Sequence, residues 1–286
     1  MTAGVWNDFF VVMLLALAFV SVRRIALVDE GTLVGRFGPP LLFGAWVLLF
    51  WQWLVTSFDI PRVILPAPSL IAVSLIANSD LLLADFVQTV LRSALIGLAA
   101  GSAIGFIVGV LIDRSPFLQR GLLPLAALAS TVPLVGIAPI MVMWFGFDWH
   151  SKAAVVIVMT FFPMLVNTLA GLNESDAMQR DLMRSYGASY WRTLWSLRIP
   201  IALPFVFNAL KINSTLALIG AIVAEFFGSP TVGLGFRISI EAARLNMGLV
   251  WAAIVVSALS GSLLYALLGW IERRATFWHP SFRAVR

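Results

Sequence analysis

Long apolar stretches dominate this chain, and short polar segments separate them. A helix that crosses a bilayer needs roughly 20 mostly apolar residues. Seven stretches approach that length, and each predicts a membrane-spanning helix. They are Val5–Val22, Leu41–Phe58, Val90–Ile112, Leu122–Phe145, Ala153–Leu172, Ile201–Phe227 and Val250–Ile271.

The first of these stretches is the weakest, because Trp6, Asn7 and Asp8 interrupt it. It predicts either a full span or a helix that lies along the membrane surface. The N-terminus has neither the basic segment nor the small-residue cleavage site of a signal peptide. We therefore expect the stretch to remain in the mature protein.

The composition also indicates an integral membrane protein. Only 12% of the 286 residues are charged, and the mean hydropathy is +0.96. Soluble domains carry about 25% charged residues. The formal net charge of +5 comes mainly from arginines in short loops, where they set topology, so it does not predict a nucleic-acid partner.

The basic residues lie mainly in alternate loops, which orients the chain by the positive-inside rule. The pattern predicts an N-terminus outside and a C-terminus in the cytoplasm. The predicted cytoplasmic segments hold Arg23, Arg24, Arg36, Arg114, Arg120, Arg180, Arg184, Arg192, Arg198, Arg273, Arg274, Arg283 and Arg286. The predicted outer segments hold only Arg62, Lys152, Arg237 and Arg244.

Two predicted spans have a distinctive internal pattern. Small residues four apart fall on one helix face and allow another helix to approach closely. The span Val90–Ile112 has this pattern at Gly97, Gly101, Gly105 and Gly109. The span Leu122–Phe145 instead contains Pro124, Pro133 and Pro139, which interrupt helical hydrogen bonding. Broken backbone at membrane depth is tolerated against protein or a wet cavity, so this span is expected to line a cavity.

The residues of common enzymatic sites are missing from the sequence. A phosphate-binding loop needs a lysine after a glycine, and neither Lys152 nor Lys211 follows one. His150 and His279 fall on opposite sides of the predicted membrane, and there is no cysteine, so no metal site is predicted. We expect a protein that is not an enzyme and binds no cofactor of its own. The run Gly233-Leu234-Gly235 predicts a turn in an outer loop.

A few polar residues within the spans are candidates for a transport path. Polar side chains in a span usually turn away from lipid. The candidates are Lys211, Ser214, Thr215, Asn167, Pro133 and Glu225. The lysine is equally consistent with a structural ion pair. Because Arg92 and Glu225 lie near span ends, both are expected to reach the membrane surface.

The polar segment between the fifth and sixth stretches predicts a helical hairpin. Asp176 can cap a first helix, Gly187 can end it in the left-handed conformation, and Ser189 can cap a second helix. Pro200 is expected to end that second helix. The predicted orientation puts this hairpin on the cytoplasmic side.

The hairpin segment resembles the EAA loop of the permease subunits of binding-protein-dependent ABC importers. Asp181-Leu182-Met183 stands where E-A-A is expected, Gly187 matches the family glycine, and the close contains Ile199-Pro200 and Leu203-Pro204. The resemblance extends through "ILPAPSLIAVSL" at Ile64–Leu75, the block Gly146–Leu172, and "AEFFGSPTVGLGF" at Ala224–Phe236. These segments are similar to the branch for nitrate, sulfonates and taurine, with relatives for bicarbonate and thiamine-precursor pyrimidines.

The resemblance implies an all-α protein with the type I ABC importer permease fold, in the bacterial cytoplasmic membrane. Six common spans would lie in residues 40–286, and residues 1–39 would hold an extra span and a loop. The EAA hairpin would lie at residues 173–200. The implied contacts with the ATPase are Asp181, Leu182, Met183, Arg184, Gly187, Ile199, Pro200 and Pro204.

The implied partners are two cytoplasmic ATPases, which bind ATP and Mg, a second copy of the chain, and a periplasmic or lipid-anchored solute-binding protein. A secondary transporter is the alternative, but it would be expected to carry repeated halves and buried carboxylates. A membrane enzyme is a weaker alternative, because no cluster of catalytic side chains is present.

Overall fold

The computed structural model describes residues 13, 16–25, 27–28, 32–115, 117–121, 124, 128, 133–228 and 231–278. In that part of the chain every regular element is helical. Most of the predicted span Val5–Val22 lies outside the described residues, although residues 16–25 are helical. Most of residues 122–132, the first half of the proline-containing span, also lie outside them.

The main helices, α1 to α11 in chain order, form most of the described chain, and π-helical segments join two pairs of them. The helices are α1 (Leu33–Ser57), α2 (Pro68–Ala77), α3 (Ser79–Phe86), α4 (Leu95–Arg114), α5 (Leu134–Phe145), α6 (Trp149–Asn173), α7 (Ala177–Ser185), α8 (Tyr190–Thr193), α9 (Ile199–Phe226), α10 (Leu234–Ala243) and α11 (Met247–Ala275). Val87–Ala94 joins α3 to α4, and Leu194–Arg198 joins α8 to α9.

Five helical stretches of the described chain are long and apolar enough to cross a membrane, and they correspond to five of the seven predicted spans. They are Val34–Ser57, Ser79–Arg114, Trp149–Asn173, Tyr190–Phe226 and Met247–Ala275. Two shorter helices, Pro68–Ala77 and Gly136–Phe145, are also apolar. The second of them belongs to the proline-containing stretch. It begins after Pro133 and contains Pro139.

The prediction that Pro200 ends a helix was wrong. The helix runs without a break from Tyr190 to Phe226, over 37 residues. A proline ring clashes with the carbonyl four residues earlier and has no N–H to donate. The π-helical segment Leu194–Arg198 immediately precedes Ile199-Pro200, and its wider turn makes room for the ring without ending the helix.

The chain divides into two compact units. One consists of Met1–Ala77 and Glu241–Ala252, and the other of Asn78–Ile240 and Ala253–Arg286. In the first unit the Gln52 Oε1 atom accepts a 3.0 Å hydrogen bond from the Ser69 N–H, which joins α1 to α2. The rings of Trp51 and Trp251 pack edge to face, with centroids 5.0 Å apart.

The core of the second unit is the contact between α4 and α6, and it confirms the predicted role of the four glycines. A methyl group added at Gly97 would lie 2.5 Å from Val156 Cβ, and one at Gly105 would lie 2.5 Å from the Phe161 carbonyl. At Gly101 it would overlap Thr160 Oγ1. Van der Waals packing holds helices together in lipid, so this close approach is what joins the two spans.

Helix α9 packs against both α4 and α6. Val156, Ala217 and Ala221 are fully buried in one cluster there. Asn213 is also fully buried, and its amide nitrogen donates to Ser102 Oγ at 3.1 Å and to the Thr160 carbonyl at 2.8 Å. The side chain of Asn213 therefore links α9 to both α4 and α6, which fixes the three central spans as one body.

Candidate functional site

The helical hairpin formed by α7 and α8 has the local structure that its sequence predicts. The Asp176 carboxylate caps α7 by accepting from the Met178 N–H at 3.3 Å, and Ser189 Oγ caps α8 by accepting from the Arg192 N–H at 3.4 Å. Gly187 lies between them at φ +68°. This residue is in the left-handed region, which glycine enters at low cost.

A second set of bonds makes the turn at Gly187 specific. The Gly187 N–H donates to the Arg184 carbonyl at 2.8 Å, and the Ala188 N–H donates to the Met183 carbonyl at 3.0 Å. This pair of bonds is the Schellman arrangement that satisfies the last carbonyls of a helix. The direction of α8 relative to α7 is therefore fixed by the backbone.

Arg198 anchors the base of the hairpin to the ends of two spans. Its Nη1 atom donates to Asp113 Oδ2 at 2.6 Å and its Nη2 atom to Asp113 Oδ1 at 2.8 Å. Its Nε and Nη2 atoms also donate to the Leu172 carbonyl, at 3.1 and 3.0 Å. Asp113 lies at the end of α4 and Leu172 at the end of α6, so one guanidinium ties together three helices.

Aromatic side chains of α8 extend this anchor. The Tyr190 hydroxyl donates to Asp113 Oδ2 at 3.0 Å. The Arg114 guanidinium lies 5.6 Å from the centre of the Tyr190 ring and 5.2 Å from that of Trp191, within the range of cation–π attraction. Below them, Leu172, Leu194 and Ala202 form a fully buried cluster.

The outer surface of the hairpin is exposed, in contrast to its base. No residue of α7 is buried. The Asp181–Arg184 ion pair is loose, at 3.5 Å, and both side chains are more than two-thirds exposed. Large apolar side chains of the hairpin segment are exposed as well, and they are Met178, Leu182, Tyr186, Trp191 and Trp195. Such a mixed apolar and charged surface is typical of a protein-binding site.

The structure divides the predicted coupling residues between two places. Asp181, Leu182 and Arg184 are exposed on α7, Met183 is half-buried, and Gly187 is at the turn. Ile199, Pro200 and Pro204 are in the first turns of α9 instead, and all three are half-buried.

The residues predicted to line a path are scattered rather than gathered on one surface. Thr215 is exposed, while Ser214 is fully buried and donates to the Lys211 carbonyl at 2.7 Å. Lys211 forms an ion pair of 2.8 Å with Glu272 of α11. Asn167 is half-buried and bonds to the Pro163 carbonyl at 2.8 Å, and Pro133 is exposed at the start of α5.

The expectation that Glu225 reaches the membrane surface was wrong. This side chain is only 2% exposed, because it is enclosed by the run Gly233-Leu234-Gly235. Its Oε1 atom accepts from the Thr89 hydroxyl, and its Oε2 atom accepts from the Gly235 N–H, both at 2.7 Å. The sequence indicates that Glu225 lies near the end of a span, but no local pattern in it predicts this enclosure.

The run Gly233-Leu234-Gly235 was predicted as a turn, and the structure places the start of α10 there. Each of its three N–H groups donates to a buried side chain: Gly233 to Asp85 at 2.7 Å, Leu234 to Thr89 at 2.8 Å, and Gly235 to Glu225. The first N–H groups of a helix have no partner within it, so these side chains complete the end of α10. Arg237 then pairs with Asp85 at 2.8 Å.

Asp148 precedes α6 at the same end of the unit. Its carboxylate accepts from the Gln88 amide at 3.0 Å and from the Trp149 N–H at 2.8 Å. The bond from Gln88, followed by the bond from Trp149, lowers the pKa of Asp148, because both favour the ionised form. This carboxylate thus links the start of α6 to the π-helical segment Val87–Ala94.

Sequence reasoning missed Asp113, Tyr190, Asp85, Thr89 and Glu272 as parts of these clusters. Asp113 could have been predicted from its position beside Arg114 at the end of an apolar span. A carboxylate at that position is expected to form an ion pair with a basic residue. The partners themselves are far apart in sequence. No local pattern predicts them.

Comparison with known proteins identifies the family of this chain. Residues 101–277 match the model of the family described as the binding-protein-dependent transport system inner membrane component. The chain belongs to this family. The matched region contains the hairpin, its anchor and α10, and the membership makes the chain a permease subunit of an ABC importer for a small solute.

Three named permeases are similar over most of their length. A probable ABC transporter permease of Haemophilus influenzae is 31% identical over 239 residues, which is 84% of this chain and 97% of the relative. The riboflavin transport system permease of Chloroflexus aurantiacus is 33% identical, over 82% and 88% of the two chains. The formylaminopyrimidine transport permease of Halalkalibacterium halodurans is 30% identical, over 84% and 95%.

A solved structure supports the fold. The MetNI methionine ABC transporter in inward-facing conformations has a chain that matches with a TM-score of 0.61 at 19% identity. The match covers 70% of this permease and 98% of that chain. The predicted type I importer fold is confirmed.

Proposed function

We propose that the hairpin of this permease receives the motion of a cytoplasmic ATPase and passes it to the spans. The observation that carries the proposal is the contrast between the two sides of the hairpin. Its outer surface is exposed on α7, and its base is tied to α4 and α6 through Arg198. A partner that moves α7 must therefore move the ends of three spans.

The proposed partners follow from the same arrangement. Two ATPases would bind the hairpins of two copies of the chain from the cytoplasm, and a solute-binding protein would deliver the solute at the opposite membrane face. The arginine-rich loops support this orientation in a bacterial inner membrane. ATP and Mg would bind to the ATPases alone.

The path through the membrane is proposed to follow the side of α9 that carries Thr215, with Asn167 of α6 and Pro133 as further candidates. The burial of Ser214 and Glu225 favours a role in packing for both. The ion pair of Lys211 with Glu272 of another helix favours the same role for the lysine.

The solute is proposed to be a small polar molecule of the nitrate, sulfonate, taurine or thiamine-precursor pyrimidine class. Two relatives at 30% and 33% identity are named for a formylaminopyrimidine and for riboflavin, which supports testing nitrogen heterocycles first. The binding protein is expected to supply most of the selectivity.

The test is transport by the reconstituted complex of permease, ATPase and binding protein in liposomes. We expect uptake of the solute to require ATP and the loaded binding protein. A panel of a formylaminopyrimidine, riboflavin, taurine, an alkyl sulfonate and nitrate would identify the class. Uptake by the permease alone, driven by an ion gradient, would instead support a secondary transporter.

A further inference from the structure

A cavity of about 690 Å³ lies between the end of α1 and the start of α2, and the proposed transport function does not use it. All of its lining residues belong to the first compact unit. The bond from the Ser69 N–H to Gln52 Oε1 holds the two helices together at its wall. The polar side of the cavity consists of Gln52, Thr56, Asp59, Arg62 and Ser69.

Asp59 and Arg62 place opposite charges on this cavity, and they do not pair with each other. Among the residues that the structure describes, neither forms an ion pair, and both are exposed. Asp59 has φ +48°, the left-handed conformation that ends α1, with the Ile60 N–H bonded to the Val55 carbonyl at 3.1 Å. A separated acid and base match a ligand that carries both an ammonium group and an anion.

Aromatic side chains place the cavity at the surface of the bilayer. Trp53 packs against Phe50 and Phe58, with ring centroids 5.9 Å apart in each pair. Phe58 is 69% exposed, at the point where the apolar span ends and the charged residues begin. Trp and other aromatic residues concentrate at the headgroup level of membranes, so the charges of the cavity lie at the depth of lipid headgroups.

The remaining wall of the cavity is apolar. It includes Val55, Ile60, Leu70 and Val73, and α1 continues away from it with exposed apolar side chains such as Leu49. A small soluble zwitterion would not use this wall. A lipid would, because its acyl chains can lie along α1 while its headgroup occupies the polar side.

We propose that this cavity binds the headgroup of a zwitterionic phospholipid of the phosphatidylethanolamine type. The phosphate faces Arg62, which can donate two hydrogen bonds to it. The primary ammonium faces Asp59, which accepts hydrogen bonds from its N–H groups. Phosphatidylcholine has no N–H to donate, and phosphatidylglycerol has no cation, so both fit less well.

The test is native mass spectrometry of the permease released from nanodiscs that contain equal amounts of phosphatidylethanolamine, phosphatidylcholine and phosphatidylglycerol. We expect the bound lipid to be enriched in phosphatidylethanolamine. Asp59→Asn should abolish the preference over phosphatidylcholine and keep binding of both. Arg62→Gln should lower retention of all three lipids by about tenfold, the effect of losing charge-assisted hydrogen bonds.

Two matched variants control for a general change in charge. Arg36→Gln removes an exposed arginine at the other end of α1, and Asp80→Asn removes an exposed aspartate of the second unit. Neither should change the bound lipids. Equal retention of the three lipids by the unaltered protein would overturn the proposal. So would binding of soluble phosphoethanolamine as tight as that of phosphatidylethanolamine, because the acyl chains and the apolar wall would then contribute nothing.

Discussion

Arg198 and Asp113 are 85 positions apart, and two hydrogen bonds of 2.6 and 2.8 Å join them at the base of the hairpin. Both side chains are nearly buried, with 11% and 7% exposed. Bidentate pairs of this kind are among the strongest polar contacts in proteins. The pair therefore attaches the hairpin to the end of a span, so the hairpin is held in place by the spans and not only by its own loop.

Asp113→Ala should destabilise the permease by about 3 kcal/mol, because it leaves a nearly buried guanidinium without its carboxylate. It should also weaken copurification of the ATPase. SDS-induced unfolding in mixed micelles measures the first effect, with Asp80→Ala as the control at an exposed carboxylate. The double variant Asp113→Leu with Arg198→Met should recover part of the stability, since no charge stays buried alone. Equal stability of Asp113→Ala and the unaltered protein would show that the pair is dispensable.

Gly187→Val should abolish ATP-driven transport without affecting membrane insertion. Apart from its chain neighbours, no described residue lies within 4 Å of a methyl group added at Gly187, so the cost comes from its φ of +68°. A β-branched residue is an outlier there, whereas asparagine enters this region readily. Gly187→Asn should therefore retain the ATPase in copurification and Gly187→Val should lose it. Normal copurification with valine would contradict the role of the turn.

Asp181→Lys should reduce stimulation of ATP hydrolysis by the loaded binding protein and leave stability nearly unchanged. The loose, exposed pair with Arg184 is worth well under about 1 kcal/mol. Reversal of a charge in a contact surface nevertheless disfavours docking. ATPase assays in liposomes test this, with Asp80→Lys as the matched control. Full stimulation of the Asp181 variant would place the residue outside the contact.

Gly101→Ala should destabilise the contact of α4 with α6 by about 1–3 kcal/mol, the usual cost of overpacking. The new methyl group would overlap Thr160 Oγ1 and lie 2.7 Å from the Ile157 carbonyl. Gly269→Ala in α11 is the control, because nothing lies within 4 Å of its methyl group. Thermal unfolding in detergent should separate the two variants, and an unchanged midpoint for Gly101→Ala would contradict the tight packing.

Thr215→Cys should react with a membrane-impermeant thiol reagent in one nucleotide state and be protected in another. The natural chain has no cysteine, so the labelling has no background. Ser214→Cys is the neighbouring control and should stay unreactive, because Ser214 is fully buried. If position 215 is unreactive in every state of a transporting complex, the path does not follow this side of α9.

Local patterns predicted those parts of the fold that depend on residues a few positions apart. The four glycines identified the packed side of α4, and Asp176, Gly187 and Ser189 identified the caps and turn of the hairpin. The caps and the turn act within one or two helical turns of their own position, and the glycines share one helix face because they are four residues apart. Reading the sequence was therefore sufficient for them.

The clusters that fix the helices relative to one another could not be predicted in this way. The ion pairs Arg198–Asp113, Lys211–Glu272 and Arg237–Asp85 form only when helices that are distant in sequence pack together. Pro200 shows the same limit for the backbone, since the preceding π-helical segment decides whether the helix ends. Charged residues near span ends were visible in the sequence, and their partners were not.

The unbroken helix from Tyr190 to Phe226 gives the permease a lever arm. With a rise of 1.5 Å per residue, its 37 residues extend about 55 Å. A tilt of about 5° at the anchored end would displace Phe226 by about 5 Å, which is the length of one helical turn. A hinge at Pro200 would absorb such a tilt. Because the π-helical segment keeps the helix continuous past Pro200, a small rotation at the hairpin would be transmitted along the helix to the opposite membrane face.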